Sequence, residues 1–97
     1  MAHYVLLTNF TDQGVKTVKD TVKRADAFRQ MAEKSGVKVH ALFWTLGKHD
    51  VVAIAEASDD TVATALSLSI ASLGNVRTQT LRAFNTEEMK AIIAKLA

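Results

Sequence analysis

Four short apolar runs alternate with helix-spaced segments along the chain. The first run, His3 to Phe10, is apolar and rich in strand-forming residues and predicts strand one. Thr11-Asp12-Gln13-Gly14 breaks it, and Thr11 or Asp12 suits the cap of a short helical turn. Lys19 to Ser35 then reads as a helix, with Val18, Val22, Ala25, Phe28, Met31 and Ala32 at three- and four-residue spacing and Gly36 as its left-handed cap. Val37 to Leu46 and Val51 to Ala55 read as strands two and three. Ser58-Asp59-Asp60 caps a second helix whose predicted buried stripe is Val62, Ala65, Leu66, Ser69, Ile70 and Leu73, with Ala63, Ser67, Ala71 and Ser72 on the remaining small surface. Gly74 ends it. Val76 to Phe84 alternates as strand four, and Asn85-Thr86-Glu87-Glu88 resembles a capping box that starts a last helix bearing Met89, Ile92, Ile93 and Leu96.

The order is βαββαβ plus a C-terminal helix. Right-handed crossovers make the strands of each βαβ unit parallel, and the hairpin makes strands two and three antiparallel. The compact solution is an α+β, ferredoxin-like split βαβ sheet ordered 4-1-3-2, with every neighbouring pair antiparallel. Residues 1–97 form one domain, since there is no linker, repeat or low-complexity tract.

The hairpin is the organising element. Gly47-Lys48 fits a two-residue type II′ loop, which pairs Leu46 with His49, Thr45 with Asp50 and Trp44 with Val51. One face of it then carries His40, Leu42, Trp44, Leu46, His49, Val51 and Ala53. The other carries Val39, Ala41, Phe43, Thr45, Asp50, Val52 and Ile54. Both faces are largely apolar, and one layer of helices covers only one. A second copy of the chain is therefore expected to cover the other.

Composition narrows the functional classes. A 97-residue chain with 48% hydrophobic residues can fold, but its surface-to-volume ratio favours oligomerisation. Without cysteine there is no thiol chemistry, and without a leader pattern or a membrane-length apolar run the expectation is a cytoplasmic protein. The net charge is +2, and the basic residues Lys16 to Lys34 are interleaved with Asp12, Asp20, Asp26 and Glu33. That is a solvated helix face, not a phosphate-binding stripe, so neither nucleic acid nor membrane is expected as a partner.

The topology gathers Asn9, Phe10, Thr11, Asp12, Trp44, Thr45, His49, Asp50, Asn75 and Arg77 at one end of the sheet. His3, His40, Glu56 and Arg82 fall at the other. Three segments, Asn9-Phe10-Thr11-Asp12-Gln13-Gly14, Phe43-Trp44-Thr45-Leu46-Gly47-Lys48-His49-Asp50 and Ser72-Leu73-Gly74-Asn75-Val76-Arg77-Thr78, resemble the signatures of the GYD-domain family of small prokaryotic proteins. The resemblance implies a dimeric α/β barrel, in which two ferredoxin-like sheets pack face to face, and implies no established reaction. The chain departs from the family at the namesake tyrosine, which is His49, and at Val22, where many relatives carry proline. An imidazole therefore stands where a phenol is expected.

The candidate ligand-binding residues are Asn9, Trp44, His49, Asp50 and Arg77. His49, the imidazole of the group, suits a base or donor to ligand, against a plain strand-end role. Asp50 suits bonding to Thr45 or turn amides. Trp44 suits stacking on a planar ligand or, by preference, an interface anchor. Arg77 suits a carboxylate or phosphate, or a structural pair with Asp12 or Asp50. His40 and His49 lie roughly 20 Å apart along the hairpin, too far for one chain to build a three-histidine metal site, and no cofactor is expected. The favoured reading is a homo-oligomeric binding module for a small organic ligand, with Arg77 suiting an anionic one. Its alternatives are a cofactor-free oxygenase or isomerase, and a structural assembly unit.

Overall fold

The two-sided apolar strand His3–Phe10 takes a central place in the sheet. In the computed structural model, which describes Met1–Ala97, β1 (Ala2–Phe10) lies between β3 (Val51–Ala57) and β4 (Val76–Ala83), and β2 (Lys38–Trp44) flanks β3. The order β2-β3-β1-β4 is the expected one, with every pair antiparallel.

The break after β1 becomes α1 (Asp12–Lys16), capped by Thr11, whose hydroxyl accepts from the Gly14 amide. A 3₁₀ turn, Val18–Asp20, leads into α2 (Thr21–Lys34). The helix expected from Lys19 to Ser35 is thus interrupted at its start, and Val18 and Val22 are exposed. Asp59 caps α3 (Asp60–Ala71), accepting from the Val62 amide at 3.0 Å.

The α2 and α3 helices cover one face of the sheet. Tyr4, Leu6, Ala53, Ala55 and Ala57 point to that side and form the core with Ala32, Val37, Ala63 and Leu66. Three alanines along β3 keep its surface low, so helices settle close to it. The α3 stripe is rotated from expectation. Ala63 and Leu66 are buried and Ser67 is half-buried, while Ala65, Ser69 and Leu73 are exposed. Small residues pack closest to the sheet, and Ser67 meets Thr80 of β4 at 2.8 Å.

The other face carries Val5, Leu7, Ala41, Phe43, Val52, Ile54 and Leu81, and no helix of the chain lies over it; Phe43 is 63% exposed. The capping box is present as read: Asn85 accepts from the Glu88 amide and Glu88 from the Asn85 amide. It starts α4 (Thr86–Ala94), none of whose residues is buried. Its apolar residues Met89 and Ile93, and Leu96 beyond it, face solvent.

Candidate functional site

Strand pairing brings the hairpin against the end of β1, and Asn9, His49 and Asp50 meet there. His49 Nδ1 lies 2.9 Å from Asn9 Oδ1, and Asn9 Nδ2 donates to the Lys48 carbonyl at 2.7 Å. Asp50 does not orient His49. Its carboxylate accepts the Phe10 amide at 2.9 Å while its own amide donates to the Thr8 carbonyl. Asp50 therefore fastens the hairpin to β1, a variant of the turn-amide role expected for it. Arg77 pairs across from Asn9 in the sheet register and is exposed, with no ion pair to Asp12 or Asp50.

The hairpin is longer than a two-residue loop. Its strands part after Trp44 and resume at Val51, Gly47 holds a φ of +122°, and Thr45 closes the neck through Asp50 O at 2.9 Å and His49 O at 2.6 Å. Trp44 pairs with Val51 as predicted, but Leu46 does not pair with His49 and is fully exposed at the tip. A bulge between Val39 and Ala41 leaves His40 without a strand partner, so it turns away from the face of Leu42 and Trp44.

Trp44 sits on the helix-covered face, apart from Asn9, His49 and Arg77. Its indole N–H donates to Thr21 Oγ1 at 3.0 Å, and its ring walls a cavity of about 130 Å³ between the sheet and the helices. Thr21, Arg24, Phe28 and Met31 line the same cavity from α2. Sequence reading missed Arg24, although its spacing of three from Thr21 and four from Phe28 puts it on their face of the helix.

At the far end of the sheet the expected group assembles. His40 Nε2 and His3 Nε2 lie 2.6 and 3.3 Å from the same Glu56 oxygen. The His40 hydrogen bond holds the Glu56 carboxyl below its ordinary value, against the opposing effect of burial. Glu88 of α4 lies 3.6 Å from His3 and 3.1 Å from Arg82, and the Asn85 amide, ahead of Arg82, holds its carboxyl down. Here α4 is tethered to the sheet.

The GYD domain model matches residues 4–93 of the chain. The chain is 33% identical over 92 residues to the glutamine synthetase and cystathionine beta-lyase binding protein of Thermus thermophilus, spanning 94% of this chain and 97% of that one. Among solved structures, the crystal structure of TTHA0845 from Thermus thermophilus superposes with a TM-score of 0.65 at 22% identity, covering 89% of this chain and 96% of that one. The leucine response regulatory protein LrpA of Mycobacterium tuberculosis shares the fold over about half of its own length, with a TM-score of 0.59 at 16% identity, covering 88% of this chain and 51% of that one. With the family model running from β1 into α4, and the hairpin, the strand order and the α1 turn all in place, the chain belongs to the GYD domain family.

Proposed function

We propose that this chain is a homo-oligomeric binding module that pairs its open sheet faces and docks onto other proteins, enzymes of the kind named for its Thermus relative among them. The observation that carries the reading is the uncovered apolar face of Val5, Leu7, Phe43, Val52, Ile54 and Leu81. The chain exposes 6520 Å², against about 5,400 Å² for a folded monomer of 10.5 kDa. The excess, about 1,100 Å², is of the same order as the roughly 800 Å² that each partner buries in a standard interface. The radius of gyration, 14.6 Å, likewise exceeds the roughly 12.5 Å typical of a self-contained domain of this length. The α4 helix, none of whose residues is buried, adds an apolar stripe of Met89 and Ile93 that supports a second contact, to a neighbouring copy or to the partner enzyme.

Asn9, His49 and Arg77 sit at the margin of the open face, where pairing two copies would frame them. In this reading they receive a small organic anion. Arg77 supplies an unpaired guanidinium, and the His49–Asn9 bond fixes the ring against the strand residue that pairs with Arg77. Asp50 contributes by holding the hairpin, and Trp44 belongs to the opposite face. An oxygenase or isomerase activity would rest on likeness of fold alone.

The test is capture of purified glutamine synthetase and cystathionine beta-lyase on the immobilised chain, read by surface plasmon resonance. Saturable binding of either enzyme that is lost with Met89→Ser/Ile93→Ser in α4 or with Phe43→Ser supports the docking reading. Flat responses from both enzymes, with a chain that is monomeric in light scattering, refute it.

A further inference from the structure

We infer that the cavity between the sheet and helices α2 and α3 is a binding site for a small apolar monoanion, such as an aromatic or short-chain carboxylate. This site lies within one chain, on the face of the sheet opposite Asn9, His49 and Arg77, and it does not depend on self-association.

Three observations carry it. The first is size. Protein interiors pack to crystal density and seldom keep voids much larger than a water molecule, whereas this one holds about 130 Å³. It is lined by the buried Leu6 and Ala53, by the half-buried Phe28, Ile70 and Arg24, and by the exposed Trp44. A cavity of about 150 Å³ lined by Leu, Ile and Phe stays dry and takes up benzene, so the volume suits a ring-sized guest.

The second is the state of the polar groups on the wall. Trp44 Nε1 donates to Thr21, Thr8 lies 3.2 Å from Thr78 Oγ1, and Ser67 lies 2.8 Å from Thr80 Oγ1. These groups satisfy one another, leaving water or a polar guest few partners inside, and the interior selects apolar atoms.

The third is charge. Arg24 has no carboxylate within salt-bridge distance. Its Nη1 donates to the Thr17 carbonyl and hydroxyl at 3.0 and 2.9 Å, and its Nη2 donates to the Gly14 carbonyl at 3.0 Å. With its guanidinium 5.9 Å from the Phe10 ring centre, the group is held in place on the lining of the cavity, while its Nε–H and one Nη2 hydrogen have no protein partner. A fixed, unneutralised cation with free donors beside an apolar cavity complements a guest with an apolar body and one anionic end.

Benzoate and benzyl alcohol, nearly equal in shape and differing in charge, test this on the full-length chain. Binding is followed by the emission of Trp44, the single tryptophan, and by methyl NMR. Both probes should saturate and shift the methyls of Leu6 and Ile70, benzoate about tenfold more tightly, the factor expected for one charge-assisted hydrogen bond. Arg24→Gln should erase the preference while leaving benzyl alcohol binding in place. Arg24→Lys, which keeps the charge should Gln disturb the α1 turn, should retain part of it. Absence of saturation by about 10 mM of either probe, equal affinity for the two, or shifts confined to Leu7 and Ile54 on the open face would each overturn the assignment.

Discussion

Phe43→Ser should separate the copies without unfolding them. Phe43 pairs with Val52 on the open face and keeps 63% of its surface in water within one chain. Burying a whole phenylalanine side chain is worth about 1.5–3 kcal/mol. Covering the exposed part therefore contributes about 1–2 kcal/mol per copy. In a two-fold interface the residue occurs twice, so its loss should cost about 2–4 kcal/mol and weaken self-association by about thirty-fold to nearly a thousand-fold. Within the chain the change removes only one cross-strand contact, at most about 1 kcal/mol. Light scattering behind size exclusion, run as a dilution series with far-ultraviolet circular dichroism on the same fractions, separates the two effects. The expected result is a native spectrum with the dimer–monomer midpoint moved to higher concentration. A midpoint moved less than about tenfold, or a wild-type chain monomeric throughout, refutes the reasoning.

Gly14→Ala should destabilise the fold, because a Cβ there would overlap the Asn75 carbonyl that also accepts the Thr11 amide at 3.0 Å. Overpacking of this kind costs about 1–3 kcal/mol, so thermal melting should fall by at least about 4 °C. Tyr4 donates to Asp60 at 2.6 Å, and burial, ahead of that bond, pushes its phenol up to about 12 from 10.0. With the folded pKa raised, its contribution is intact below pH 10 and is lost as pH rises toward 12. Denaturant melts across that range should fall more steeply for the wild type than for Tyr4→Phe. Glu56 shows the opposite sign: its folded pKa is depressed, so its contribution is present above 4.5 and is lost as pH falls through the folded value. Acid unfolding followed by circular dichroism should therefore be less steep for Glu56→Gln.

Element order and strand order were legible in the sequence because most apolar runs end at a cap or a glycine: Thr11 after β1, Gly36 after α2, Asp59 before α3, Gly74 before β4 and Asn85 before α4. The Trp44–Val51 register was legible for the same reason, with Gly47 marking the turn. Three things were not. The bulge that frees His40 leaves no residue signature in Val39-His40-Ala41. The rotation of α3 was hidden because Ala63, Ala65, Ser67 and Ser69 are all small, so spacing alone cannot choose among them. Which hairpin face the helices cover was also unmarked, since both are apolar, so the place of Trp44 on the cavity that Arg24 also lines was not legible. Asn9, His49 and Asp50 were found together because strand ends are fixed by topology, not by packing detail.

The central claim is that a second copy seals the open sheet face. Isotope-filtered NOE spectroscopy on an equal mixture of labelled and unlabelled chains reads this directly. Cross-peaks between copies from Leu7, Phe43 and Ile54, with none from Leu6 or Ala53, are the predicted result. A spectrum holding only intrachain contacts, or cross-copy peaks confined to the helices, would contradict it.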